Sequence, residues 1–204
     1  MRQFLSRHAF ITLAVVIAVH DELLDVRPIV HAVTGRGTPI ENEVIYNVPV
    51  WRLQRGNSAV KMPPVVGDTG LIAVCDEDIS VVKATRLPAM PGSARSHNLS
   101  DAIYLGGVLN AEPTQYVEFA DSQINVVSPG KIRLQAPDIE AEANNSISLK
   151  AATILLNGET SISKELSVEG KSTLVGGAKI EDIEFSGHVH PGVQSGSSKT
   201  GKPQ

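Results

Sequence analysis

The stretch FSGHVHPGVQSG, residues 185 to 196, holds the densest chemistry in the chain. His188 and His190 stand one residue apart, and no other two of the six histidines are so close. In an extended segment residues i and i+2 face the same way, so both imidazoles would project together with Val189 opposite. Two nitrogens from one chain make a weak metal site, because structural metals take four or more ligands. If three chains met on a threefold axis, six neutral imidazoles would converge. That donor set suits a transition metal, and its octahedral number favours iron or nickel over tetrahedral zinc. No coordination position would stay open, so the ion would pin chain ends rather than catalyse. Gly187, Pro191, Gly192 and Gly196 permit tight turns around a crowded axis. The plain alternative is that the pair is incidental.

The elements that would position the pair lie directly upstream. From Ile124 the chain lines up on itself at a spacing of fifteen: INVVSPGKIRLQAPD, IEAEANNSISLKAAT, ILLNGETSISKELSV. Ile124, Ile139 and Ile154 share the first position, Ile132, Ile147 and Ile162 the ninth, Leu134 and Leu149 the eleventh. Apolar residues alternate with polar ones within each repeat, which places one side chain inward and the next outward on short strands. This is a β-solenoid texture. A strand of three or four residues with one apolar stripe cannot bury that stripe alone, and it leaves sheet edges open. Either one chain coils on itself or several copies wrap about one axis. The rungs are thin, and the intertwined arrangement suits thin walls better.

The N-terminal part has a different texture. Five short apolar runs are broken by Gly and Pro turns: ITLAVVIAV, LLDVRPIVHAV, VIYNVPVWRL, GLIAVCDE and ISVVKATR. They predict five strands in a small barrel, with an OB-like barrel the natural candidate at this strand count. The apolar run from Ala9 to Val19 follows a basic start and could pass for a short signal peptide. Its Val and Ile content, and the polar turn His20-Asp21-Glu22 leading into LLDVRPIV, predict a hairpin instead. The run is too short to cross a membrane as a helix. Residues 88–123, rich in Pro, Gly and Ser at their start, read as a connector.

Composition narrows the classes of function. Only 4% of residues are aromatic and the formal net charge is −4, with no large basic block. Nucleic-acid binding therefore has little electrostatic support. Cys75 is the only cysteine, so one chain can form neither a disulfide nor a cysteine-based zinc site, and the residue reads as a buried small hydrophobe.

Several stretches carry a resemblance. LDVRPIV, VIYNVPVW and PPVVGDTGLIAVCDEDIS resemble the OB-fold domain of the central spike of contractile tails, the baseplate assembly protein V family of bacteriophages and related tailocins. RSHNLSDAIYLGG resembles the H-x-L-x-D-A stretch that follows that domain in one branch, and GHVHPG resembles the family's H-x-H tip motif. The resemblance implies an all-β homotrimer: an N-terminal OB-fold domain over residues 1–87, the connector, a triple-stranded β-helix shaft over 124–186 and a tip over 187–204. It implies one iron ion per trimer, held octahedrally by His188 and His190 of each of three chains. It further implies attachment of the N-terminal domain to a tail hub or baseplate protein. The expected location is the tip of the virion's baseplate, in a protein made in the host cytoplasm. On sheath contraction such a spike is driven through the outer membrane of a Gram-negative cell. The unusually apolar N-terminal run departs from the pattern. No added lysozyme-like domain is evident.

Two rival readings stand against this one. A carbohydrate-degrading enzyme would need paired carboxylates across a cleft. Glu140 with Glu142, or Glu181, Asp182 and Glu184, could be named, but alternation places them outward and solvated. Asp76, Glu77 and Asp78 read as a turn or hydrated face, and no nucleophile-elbow, P-loop or dinucleotide motif occurs. The chain is accordingly expected not to be an enzyme. A secreted single-chain solenoid, adhesive or carbohydrate-binding, would require the N-terminal run to be a true signal. His8, His20, His31 and His97 carry structural readings, with His97 bonding locally ahead of Asp101.

Overall fold

The computed structural model of the chain describes residues 10–185 together with 187, 192 and 196. It is almost all β, with 32% strand and 5% helix. The chain divides into two units, Met1–Leu134 and Gln135–Gln204.

The first unit is organised by the apolar run near the N-terminus. It forms strand β1 (Ile11–His20), which turns through Asp21 and Glu22 into β2 (Leu23–Pro28). The expected hairpin is therefore present, and Asp21 takes the positive φ of 51° that so tight a reversal demands. A small ribbon follows, β3 (Ala32–Val33) with β4 (Pro39–Ile40), and then β5 (Ile45–Pro49) returns along β2. A second ribbon pairs β6 (Gln54–Arg55) with β7 (Ser58–Ala59), and β8 (Thr69–Val74) runs back antiparallel to β1.

The next run departs from the sequence expectation. ISVVKATR was expected as the fifth strand and instead contains a helix, α1 (Ser80–Thr85). The Asp78 carboxylate accepts the Ser80 amide at its start, and Arg86 closes it in the left-handed region at φ 57°. Local end-capping overrides the strand preference of its adjacent valines. The fifth strand comes from AIYLGG in the stretch read as connector: β9 (Ala102–Gly107), paired antiparallel with β8.

The order is β5-β2-β1-β8-β9, and the two outer strands meet. Val50 bridges Tyr104 in parallel, and the Trp51 amide donates to the Tyr104 carbonyl at 2.8 Å. The sheet thus curls until its edges pair. Three register breaks permit the curl: between Val16 and Ala18 in β1, between Leu24 and Val26 of β2 against β5, and between Leu71 and Ile72 of β8 against β9. Each bends and twists the strand pair locally. Inside lie Ala14, Val16, Leu24, Val26, Ile45, Val48, Ile72, Val74, Ala102 and Tyr104. They are mostly alternate residues of the five strands, as a one-sided sheet requires.

Tyr104 fills the largest share of this interior, and Gly70 makes room for it. A Cβ on Gly70 would press on the Tyr104 ring and hydroxyl and stand 2.5 Å from the Gly106 carbonyl oxygen. Gly70→Ala is therefore expected to destabilise the barrel by about 1–3 kcal/mol, through overpacking. The Tyr104 hydroxyl is buried and has no hydrogen-bond partner among the described residues. Tyr104→Phe should leave stability unchanged or raise it by up to about 1 kcal/mol, since an unsatisfied buried hydroxyl is removed. Urea unfolding followed through Trp51 fluorescence measures both.

After β9 the first unit ends with a hairpin, β10 (Tyr116–Ala120) with β11 (Gln123–Val127). The second unit contains one further ribbon, β12 (Lys179–Ile180) with β13 (Ile183–Glu184). The short strands expected from the fifteen-residue repeat are not paired in the single chain. No strand occurs between Val127 and Lys179 among the described residues, and every residue from 129 to 177 is exposed. The repeat's marker residues Ile124, Ile132, Ile139, Ile147, Ile154 and Ile162 are each more than half exposed. A strand needs a neighbour to pair with, and here one chain supplies none.

Candidate functional site

At the C-terminal end the approach to the histidine pair is a tight reversal. Glu181, at φ 54°, and Asp182 turn β12 into β13, and Lys179 reaches Asp182 at 3.7 Å. The Phe185 amide donates to the Ala178 carbonyl at 2.8 Å, and the Gly187 amide donates to the Glu184 carbonyl at 3.2 Å. The backbone is therefore turning immediately before His188. Gly192 has φ 86°, a conformation that favours glycine. His188 and His190 themselves lie outside the described residues. Among the described residues, no group of three or more His, Cys, Asp or Glu side chains could hold a metal ion.

The other named carboxylates do not form a site. Glu140 and Glu142 are exposed, as are Glu181, Asp182 and Glu184 on the terminal ribbon. Asp76 and Glu77 are exposed, but Asp78 is buried, against the expectation of a hydrated run.

Asp78 belongs to a cluster that the sequence reading missed. The Arg95 guanidinium donates to Asp101 at 2.7 and 2.9 Å and to Asp78 at 2.7 Å. Ser93 adds a hydroxyl to Asp78 at 2.8 Å, and the Ile79 amide adds a bond to Asp101 at 3.1 Å. Asp101 is 1% exposed and Asp78 5%. The cluster joins the start of α1, the loop through Ser93 and Arg95, and the 3₁₀ turn Leu99–Asp101 that feeds β9. The one sequence signal was the stretch SARSHNLSDAI, which sets an arginine and an aspartate beside the apolar start of β9. With their carboxylates and guanidinium paired to one another, these side chains fasten the fold.

Bonds from the Ser80 hydroxyl and amide, then from Ser93, with the charge of Arg95, hold the Asp78 carboxyl at about 2 against an ordinary 3.8. A carboxyl lowered on folding stabilises the fold above its unfolded value and loses that contribution as pH falls through its folded value. Stability is thus expected to drop between about pH 4 and pH 2, and Asp78→Asn should flatten that part of the profile. Denaturant midpoints measured across this range test it.

The remaining candidates have structural surroundings. His20 Nε2 lies 2.9 Å from Asp25, and His31 Nδ1 lies 3.2 Å from the Ile40 carbonyl oxygen. The His97 ring meets that of Phe10 at 4.8 Å and a tilt of 45°, and its amide donates to the Asp76 carbonyl at 3.0 Å. Cys75 is half-buried, and burial, then Asp101 and Asp76, push its thiol up. Its side chain stays protonated, which fits an inert packing role. No helix among the described residues is long and apolar enough to cross a membrane.

Residues 185–204 match the family model described as the GpV Apex motif. That match spans both histidines, and this apex is the region that binds metal in spikes of the GpV type. No curated protein matches the chain.

Proposed function

We propose that this chain, placed by its apex motif in the phage baseplate assembly protein V (central spike) family and at the baseplate tip of the virion, is the tip-forming, membrane-piercing part of that baseplate. Its work is mechanical and not catalytic. Three copies wrap residues 124–186 into one shaft, the barrel at the N-terminal end attaches to a hub protein, and the tip leads through the outer membrane of a Gram-negative cell.

The observation that carries this reading is the uncovered stripe. Apolar residues at the repeat positions are exposed along a segment with no strand partner of its own, while the same segment leads directly into the apex motif. Burying such a stripe is favourable at about 25 cal/mol per Å² of apolar surface. Two further copies of the same segment supply both the apolar surface and the missing strand partners. A single-chain solenoid would place its own rungs against one another, and the exposure of residues 129–177 speaks against that. Interwoven strands also suit load, because no strand can peel away without breaking bonds to other chains. The net charge of −3 per chain over residues 124–186 keeps the outside hydrated.

The barrel supports an OB-type reading. Taken in chain order its five long strands circulate first-second-third-fifth-fourth, with the third and fifth closing in parallel at Val50 and Tyr104. In this reading the attachment domain runs through β9 to Gly107, and 108–123 lead to the shaft.

His188 and His190 fit the metal that the family implies. They are neutral nitrogen donors two apart in sequence, flanked by glycines and a proline that allow close approach to an axis. Iron bound by both from three chains would supply cross-linking and no redox step. Native mass spectrometry of the purified chain tests the proposal. A trimer is expected, and a monomer at micromolar concentration overturns it.

A further inference from the structure

We infer that the hairpin of β10 and β11 is a trimer contact that sets the alignment of the three chains where the shaft begins. The inference rests on the trimer proposed above and extends its surface upstream of the repeat, onto β10.

Pairing in the hairpin sorts its residues into two faces. Val117 lies opposite Val126, and Phe119 opposite Ile124. These four side chains share one face and are 58%, 56%, 79% and 63% exposed. The other face carries Tyr116 opposite Val127, Glu118 opposite Asn125, joined by a 2.7 Å hydrogen bond, and Ala120 opposite Gln123. One face is therefore wholly apolar and more than half exposed, while the other is mixed, with Tyr116 and Val127 at 40% and 38% exposed beside the bonded Glu118–Asn125 pair. A two-stranded ribbon of this kind is marginal in water unless its apolar face is covered.

The occupant is a second and third copy of the same hairpin. Ile124 is both part of this face and the first residue of the first repeat. Past the Ser128-Pro129-Gly130 break, Ile132 and Leu134 are again more than half exposed. A surface that covers the repeat stripe must begin where the stripe begins, and it begins on the hairpin. Phe119 is moreover the only aromatic residue between Tyr116 and Phe185. A shaft of aliphatic rungs repeated every fifteen residues can slip by one repeat and still match apolar with apolar. One bulky, unrepeated side chain in each chain removes that freedom.

The test uses the full chain with Cys75→Ser. Phe119→Cys and, on the opposite face, Glu118→Cys are each labelled with pyrene maleimide, beside native mass spectrometry of the unlabelled chain. Excimer emission several-fold stronger from position 119 than from 118, in a trimer, is the expected result. A trimer whose excimer emission is absent or equal at both positions overturns the hairpin contact and leaves the trimer standing. A monomeric unlabelled chain overturns both. Independently, Phe119→Asp should lower the trimeric fraction at least tenfold while Trp51 fluorescence reports an intact barrel. An unchanged trimeric fraction in that variant overturns the inference.

Discussion

Replacing His188 and His190 together with alanine is expected to abolish metal binding, from about one ion per trimer to none, as measured by native mass spectrometry and elemental analysis. The expectation follows from the donor inventory. Among the described residues no other group of potential ligands could hold an ion, and the apex match spans both histidines. Each single substitution should halve the donor set, leaving three nitrogens where six were available, and a site of three imidazoles binds a transition metal far more weakly. The double variant should still form trimers through the shaft, because the uncovered stripe is untouched. Its tip should instead be cut faster by proteases acting after Glu184. Metal retained at full stoichiometry by the double variant would show that the ion sits elsewhere.

Asp101→Ala is expected to destabilise the barrel by about 3 kcal/mol, the lower end of the range for breaking a buried ion pair. Asp101 accepts two bonds from Arg95 and one from the Ile79 amide, so its removal strands Arg95 Nε and the Ile79 amide, while Arg95 Nη2 keeps its bond to Asp78. Arg95 keeps about a third of its side chain, 36%, in water, which softens the cost of leaving it half-paired. Denaturant unfolding read at Trp51 gives the number. A loss below about 1 kcal/mol would mean that the cluster behaves as an ordinary surface pair.

The readability of this sequence varies by region for physical reasons. Apolar runs rich in Val and Ile, bounded by Gly and Pro turns, announced β1, β2, β5 and β8, because each strand supplies side chains to the barrel interior and the turns between them need those residue types. The misread run, ISVVKATR, is β-branched and apolar, yet the helix inside it buries none of its residues. Its conformation is decided by Asp78 at its start and Arg86 at its end, which propensity does not weigh. AIYLGG was passed over as a strand because only Ala102 and Tyr104 are buried, and two glycines follow them. The repeat was legible since periodicity survives in sequence, but its paired strands do not form from one copy. His188 and His190 were conspicuous by spacing. The Asp78–Arg95–Asp101 cluster was not, because its members lie 6 and 17 residues apart and meet only when the chain has folded.

The exposed repeat has a kinetic consequence. The barrel closes on contacts within one chain, so its formation is first-order and indifferent to dilution. Residues 129–177 acquire strand partners only by encounter, so under the proposed assembly their ordering depends steeply on concentration. In an infected cell, late accumulation of the chain would then act as the clock for spike maturation: barrels fold as each chain is made, and shafts zip when enough copies have gathered.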